Sequence, residues 1–218
     1  MTTFPNSPRL VKGGIVLIDP NTSAVIRTIP LQYNPDTLTR SLQIKAIAEG
    51  GDRSEAMRLT GPPVETIKLE VEIDATDQLE FPDQNPNATE SGIHPQLAVL
   101  ETIVYPSSAQ IQSNNSLASS GTLEIIPMET PLTLFIWSKN RVLPVRLTDF
   151  SITEEAFDPA LNPIRAKVSL GMRVLSVNDL PFSHKGSSLY MSYQQQKENL
   201  AKKATAGTLN SLGITRIP

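Results

Sequence analysis

Two long stretches of the chain alternate apolar and charged residues with a strict period of two. The first is TIKLEVEID, residues 66–74, and the second is IRAKVSLGMRVL, residues 164–175. Because successive side chains of a β-strand point to opposite faces, each stretch predicts a strand with one buried face and one wet face. Both strands need a partner for their apolar faces, so the chain is constrained to a mainly β fold.

Short segments separated by turn residues extend this pattern along the chain. Eighteen prolines are scattered through the sequence, as is typical of an all-β protein with many turns. Further strands are predicted at 14–18, 25–33, 37–45, 132–138 and 142–153. In the last of these the alternation slips between Leu147 and Phe150. Such a slip predicts a β-bulge, which bends a strand and helps a sheet to curl into a barrel.

Apolar residues recur at helical spacing in two segments of the sequence. HPQLAVLETIVYP, residues 94–106, has Pro95 near its first turn and stops before Pro106. A second helix is predicted within residues 187–206, where Leu189, Tyr193 and Leu200 lie on one side. Since this second helix is mostly polar, we expect it to dock on a neighbour or to project outward. Residues 107–122 are interpreted as an exposed loop, and 205–218 as a weakly ordered tail.

Composition excludes several classes of function. The 218 residues carry a net charge of −3, so no basic footprint for nucleic acid is expected. The chain has no cysteine, which excludes disulfides and thiolate chemistry. It shows no signal-peptide core and no apolar run long enough to span a bilayer. We therefore expect a cytoplasmic protein that needs no cofactor and does not insert into a membrane.

Candidate residues for chemistry are few. The acidic segment 74–90 lies close to His94, but its spacing matches no metal-binding motif, so a solvated loop is favoured. Glu154 and Glu155 are adjacent on a predicted strand and point to opposite faces, so they cannot form a glycosidase pair with each other. Two alternatives to a scaffold stay open: a peptidoglycan-active accessory enzyme using carboxylates in 74–90 and Glu154, and a monomeric β-sandwich binding module.

Three segments, in order, carry a resemblance to a known family. They are LQYNPDTLTRSLQ at 31–43, GPPVETIKLEVEID at 61–74, and VRLTDFSITEEAFDPALNPIRAKVSLGMRVL at 145–175. The first resembles the opening Asn-Pro motif of the tube and baseplate-adaptor proteins of contractile injection systems, the phage-tail-like particles. The second resembles the Gly-containing turn and alternating strand of that family, and the third its closing hairpin.

The resemblance implies a fold and an assembly. The expected fold is two antiparallel sheets forming a β-barrel or sandwich of the tail-tube type, with a flanking helix and a C-terminal helix. The implied assembly is a hexameric ring that contacts the spike hub, other baseplate subunits and the inner tube protein. Residues 181–218 show no LysM pattern, which favours a tube initiator or adaptor over a glycan binder. The expected division is an extension at 1–10, a barrel at 11–180 with an insertion at about 75–131, and a helix and tail at 181–218.

Two groups of residues are the candidate sites, and both are structural. The turn Tyr33-Asn34-Pro35-Asp36 should break one strand and start the next, because Asn34 can bond its own backbone and Pro35 fixes φ. Two wet faces, one acidic and one basic, together with the second helix, form the expected subunit interface. Its residues are Glu70, Glu72, Arg165, Lys167, Arg173, Tyr190 and Tyr193. No catalytic, cofactor-binding or metal-binding residue is predicted.

Overall fold

The chain folds into a curled antiparallel sheet with helices on its flanks. The structure, a computed structural model, describes residues 10–46, 58–119, 121, 130–204 and 207–217. The expected N-terminal extension and part of the expected insertion lie outside these residues. The strands are β1 (Gly14–Ile18), β2 (Val25–Pro30), β3 (Leu38–Gln43), β4 (Val64–Asp74), β5 (Leu132–Ser138), β6 (Arg141–Phe157) and β7 (Pro163–Val174).

All seven strands belong to one sheet, in the order β2-β1-β5-β6-β7-β4-β3, and every neighbouring pair is antiparallel. The prediction of a mainly β fold with antiparallel pairing is therefore confirmed. The expectation of two sheets is corrected to one continuous sheet. The physical reason is the length of β6 and β7, with 17 and 12 residues. The first residues of β6 pair with β5 and the rest of it pairs with β7, so this long strand joins the two halves into one sheet.

The two alternating stretches behave as their pattern predicts. In β4, Ile67, Leu69, Val71 and Ile73 are buried and the intervening residues are exposed. In β7, Ala166, Val168 and Leu170 join the same core, and Met172 and Val174 continue it. Since these two strands are neighbours in the sheet, their buried faces form one apolar surface. Burial of this surface is the main favourable contribution to folding.

The predicted bulge lies in β6. The register against β7 shifts between Leu147 and Asp149, which leaves Thr148 as the extra residue. The curl that follows brings the far end of the sheet back towards its beginning. Gln32, just after edge strand β2, donates from Nε2 to the Asp74 carbonyl at 2.7 Å and accepts from the Asp74 N–H at 3.0 Å. One carboxamide thus joins the end of β2 to the end of β4.

Five α-helices flank the described sheet: α1 (Thr76–Leu79), α2 (Pro86–Ser91), α3 (His94–Glu101), α4 (Ser108–Ser119) and α5 (Lys185–Ala201), with 3₁₀ turns at Pro82–Gln84 and Leu209–Leu212. Helix α3 confirms the helix predicted from residue 94, although it ends four residues early. Its buried residues Leu97 and Leu100 pack into the core beside β2 and β4. None of the helices in the described residues is long and apolar enough to cross a membrane.

Helix α4 contradicts the loop expected at 107–122. The sequence signal is a capping box that the loop interpretation overlooked. Ser107 Oγ accepts from the Gln110 N–H at 3.3 Å, and Gln110 Oε1 accepts from the Ser107 N–H at 3.2 Å. This reciprocal pairing satisfies free N–H groups at a helix start. No described residue of α4 is buried, so the capping box is a local contribution to the stability of this helix.

Candidate functional site: assembly surfaces

The turn at residues 33–36 holds the start of the barrel in place. The sequence predicted that Asn34 would bond its own backbone. In the structure its side chain instead bonds the segment before β1. Its Oδ1 accepts from the Gly13 N–H and its Nδ2 donates to the Val11 carbonyl, both at 2.9 Å. The Asn34 carboxamide thereby makes the two hydrogen bonds, one donated and one accepted, that a backbone peptide group makes in a β-sheet. Tyr33 and Asp36 are exposed beside it.

Together, Gln32 and Asn34 form a seam between three segments of backbone. Both residues lie in the connector between β2 and β3. Gln32 joins this connector to Asp74, and Asn34 joins it to residues 11–13. Each side chain makes two hydrogen bonds with backbone groups, so its loss leaves a donor and an acceptor without a partner. The motif that carries the family resemblance therefore holds the connector after β2 against the end of β4 and against residues 11–13, which is an architectural role.

The charged residues of β4 and β7 form one mixed face, not an acidic face and a separate basic face. Glu72 lies directly opposite Lys167 in the register of these strands. Arg165 Nε lies 2.7 Å from Asp74 Oδ2 and 3.7 Å from Glu72 Oε1. Lys167 Nζ lies 3.5 Å from Glu155 Oε1 on β6. This corrects the expected arrangement, because the charges neutralise one another within one subunit.

The electrostatics of this face follow from those contacts. Burial opposes ionisation of Asp74, but hydrogen bonds from Thr76 and Arg165 outweigh it and hold the pKa of Asp74 below its usual value. Glu70 lies opposite Ser169 and makes no ion pair with a described residue. Arg173 pairs with Asp179 in the connector to α5. Exposed pairs of this kind contribute about 0–1 kcal/mol each.

Tyr190 and Tyr193 are buried in their own chain. Only 5% and 4% of their surfaces are exposed, and both belong to the main core. The expectation that α5 docks outside its own barrel, with these tyrosines at a subunit interface, is therefore wrong. The helix is polar overall, but a narrow apolar side covers the sheet next to β6. Ending the chain after Asp179 would remove part of the core.

A buried charge pair fixes α5 to the edge of the sheet. Glu65 on β4 is 4% exposed, and its Oε1 accepts from Arg40 Nε at 2.7 Å. Arg40, on β3, also donates from Nη2 to the Tyr193 hydroxyl at 2.9 Å. Burial raises the pKa of the Tyr193 phenol, and the Glu65 carboxylate adds to that rise. Lys197 Nζ lies 4.4 Å from the centre of the Tyr193 ring, a cation–π contact.

Both edges of the sheet are open in the described structure. On β2, Val25 is 62% exposed and Ile26 is also exposed, and on β3 Leu42 is exposed. Neither strand pairs with a further described strand on its outer side. An apolar strand with free backbone groups is a template for pairing with another chain. Sequence reasoning predicted both strands but not their position at the edges, because pairing order is not encoded locally.

Candidate catalytic groups are sparse among the described residues. No group of three or more His, Asp or Glu side chains there is placed to hold a metal ion. A groove of about 690 Å³ near Leu132 and Leu175 has Arg146 and His184 as its only titratable lining residues. The His184 Nδ1 atom accepts from the Gly186 N–H as the cap of α5. Glycosidic cleavage needs two facing carboxylates, which this groove lacks.

The described residues thus form a curled antiparallel sheet with two open edge strands and with helices on its flanks. The sequence model of the contractile injection system tube protein family matches residues 16–177. The chain belongs to that family.

A match among solved structures has low sequence identity. A chain in the tail of an empty GTA particle, computed with helical refinement and C6 symmetry, is 12% identical. The match covers 75% of this chain and 90% of that chain, with a TM-score of 0.29. No curated protein matches.

The seam is tested by removing each carboxamide. Gln32→Leu and Asn34→Val should each lower the free energy of unfolding by about 1–3 kcal/mol, because backbone groups lose their partners. Asp36→Ala, in the same connector and exposed, is the control and should change it by less than about 0.5 kcal/mol. Urea unfolding followed by tryptophan fluorescence measures all three. Equal stabilities for the three variants would show that the seam does not close the barrel.

The buried pair is tested by breaking it and by replacing it. Arg40→Ala leaves the Glu65 carboxylate buried without its cation, so we expect a loss of about 2–3 kcal/mol, reduced from fully buried cases because Arg40 is partly exposed. Replacing both residues by Met should recover most of this stability. Thermal unfolding of the two variants measures the change in stability of each. A double variant less stable than Arg40→Ala would contradict a simple desolvation account.

Proposed function

We propose that this chain is a structural ring subunit at the base of the inner tube of a contractile injection system, joining the spike hub to the tube. The observation that carries this is the pair of open edge strands, β2 and β3, at the two ends of one sheet. A contact between two different patches of the same subunit is heterologous, and heterologous contacts generate a ring when the rotation between subunits closes. Membership of the tube protein family supports the proposal.

The ring grows by adding β2 of one subunit to β3 of the next. Both edges carry exposed apolar side chains, so pairing would cover Val25 and Ile26 on one side and Leu42 on the other. Six copies are proposed, with the hub on one side of the ring and the inner tube on the other. The lumen then forms inside the ring and lets cargo sit or pass. The proposal includes assembly in the cytoplasm and no enzymatic activity.

The peptidoglycan-active alternative requires carboxylates that face each other across a groove. Among the described residues Glu155 is engaged by Lys167, and its neighbour Glu154 lies one position earlier on β6. No described observation favours the enzyme, so the structural function is retained. A turnover assay on purified cell-wall material with the intact protein tests the alternative directly, and release of soluble fragments would support it.

Charges placed on the edges should block ring formation without unfolding the subunit. Val25→Lys and Leu42→Lys add a cation to an exposed edge position, which opposes strand addition. We expect both variants to melt like the parent, yet to be absent from particles purified from cells that lack the natural copy. Ser151→Lys, exposed in the middle of the sheet, is the matched control and should enter particles.

The position in the particle is read from the same preparation. A tagged copy should be found at one end of the tube in electron micrographs, in a fixed small number. Normal incorporation of both edge variants, or labelling along the whole tube, would contradict the proposed ring.

A further inference from the structure

Charge is unevenly distributed along this chain. Residues 69–138 contain ten Asp and Glu residues and no Lys or Arg. Residues 199–218 contain three Lys and Arg residues and no Asp or Glu. The mixed face of β4 and β7 neutralises only the start of the acidic stretch. The remainder and the basic segment are left for other contacts.

An exposed aromatic ring lies within the acidic part. Phe81 precedes the 3₁₀ turn after α1 and is 52% exposed. Asp77, Glu80 and Asp83 are exposed around it in sequence, and none forms an ion pair with a described residue. We name these four residues the Phe81 surface. A solvent-facing aromatic ring among unpaired charges is typical of a protein contact, where aromatic residues are enriched.

The segment after α5 has the complementary chemistry. We name residues 207–217 the arm. It folds on itself, since the Gly213 N–H donates to the Asn210 carbonyl at 3.0 Å and the Ile214 N–H to the Leu209 carbonyl at 3.2 Å. Gly213 has a φ of 75°, the left-handed conformation that ends the 3₁₀ turn.

The arm is preformed but uncovered. Its four large apolar side chains are exposed, two of them by 74%. They are Leu209, Leu212, Ile214 and Ile217. Cations flank them: Lys202 and Lys203 precede the arm and Arg216 lies within it. An apolar segment that already holds its shape loses little conformational entropy on docking, which favours binding.

We propose that the arm of one copy docks on the Phe81 surface of a neighbouring copy in the assembled particle. The arm and the Phe81 surface match in charge and in apolar character. Cations meet unpaired carboxylates, and leucine and isoleucine side chains meet an exposed ring. Opposite charges at such a contact guide association and fix the register. The inference rests on the proposed ring and names one contact that holds its subunits or successive rings together.

The exposure of both surfaces directs this contact to another copy. In the described structure Phe81 is 52% exposed, and Leu212 and Ile217 of the arm are each 74% exposed, so neither surface is covered by its own chain. The backbone hydrogen bonds of the arm run within the arm itself. The proposed partner is therefore a second copy.

Cross-linking tests the contact, because a chain without cysteine accepts single reporters. Full-length Ser211→Cys and full-length Gln84→Cys are made together in cells that assemble the particle, and a short bis-maleimide is added. We expect a mixed cross-linked dimer at least tenfold above that of Ser211→Cys with Ser151→Cys, the matched control. The yield should fall severalfold from 50 to 500 mM salt, because exposed charges are screened.

A charge swap tests the chemistry. Reversing the arm with K202E, K203E and R216E should remove the cross-link. Reversing the Phe81 surface of the partner with D77K, E80K and D83K should restore it. Melting curves of the separate variants confirm that they are folded. Equal cross-linking to the control position, or no recovery in the swapped pair, would overturn the proposal.

A second cysteine pair separates this inference from the proposed ring. Val25→Cys and Leu42→Cys report on the edges of neighbouring subunits. If they cross-link and the arm pair does not, the ring stands and the arm contact is wrong. If neither pair cross-links, the ring and the arm contact are both contradicted.

Discussion

The closure of one curled sheet by side-chain carboxamides is the constraint on which the rest of this structure depends. A seven-stranded sheet with a bulge in β6 bends but does not close by backbone pairing alone, since β2 and β3 remain edges. Gln32 bridges the end of β2 to the end of β4, and Asn34 fixes the same connector to residues 11–13 beside it. Because the seam holds the start of the barrel, the edge strands keep a fixed orientation for assembly.

The second constraint is that the subunit satisfies its own charges before it meets a neighbour. Arg165 and Lys167 are paired within the sheet, and the Arg40–Glu65 pair is buried beneath α5. A face that is neutral in the monomer contributes little attraction to a partner. The proposed assembly therefore uses what is left exposed: the apolar edge strands, the Phe81 surface and the arm.

The sequence predicts the features that depend on local periodicity. The alternation in β4 and β7 gave the buried faces correctly, and the slip after Leu147 gave the bulge, because both are properties of consecutive residues. Helix α3 followed from its proline and apolar spacing. The capping box at Ser107 was also local, and a systematic search for it would have found α4.

Long-range pairing could not be predicted. Arg165 and Asp74 are 91 residues apart, so the sequence does not reveal that acidic and basic strands lie side by side. The same limit applies to Asn34, whose partners lie 21 and 23 residues away. Helix α5 was misplaced for a different reason: two tyrosines and two small residues form its buried side, which is too narrow to stand out in a polar helix.

Hydrogen exchange of β2 and β3 tests the central claim, that two open edges join copies of this subunit, most directly. In the free protein the outward N–H groups of both strands should exchange within seconds to minutes, since they have no partner. In purified particles the same groups should become protected by at least a hundredfold, while the central strands β5 and β6 stay unchanged. Unaltered exchange at both edges in the particle would contradict the account.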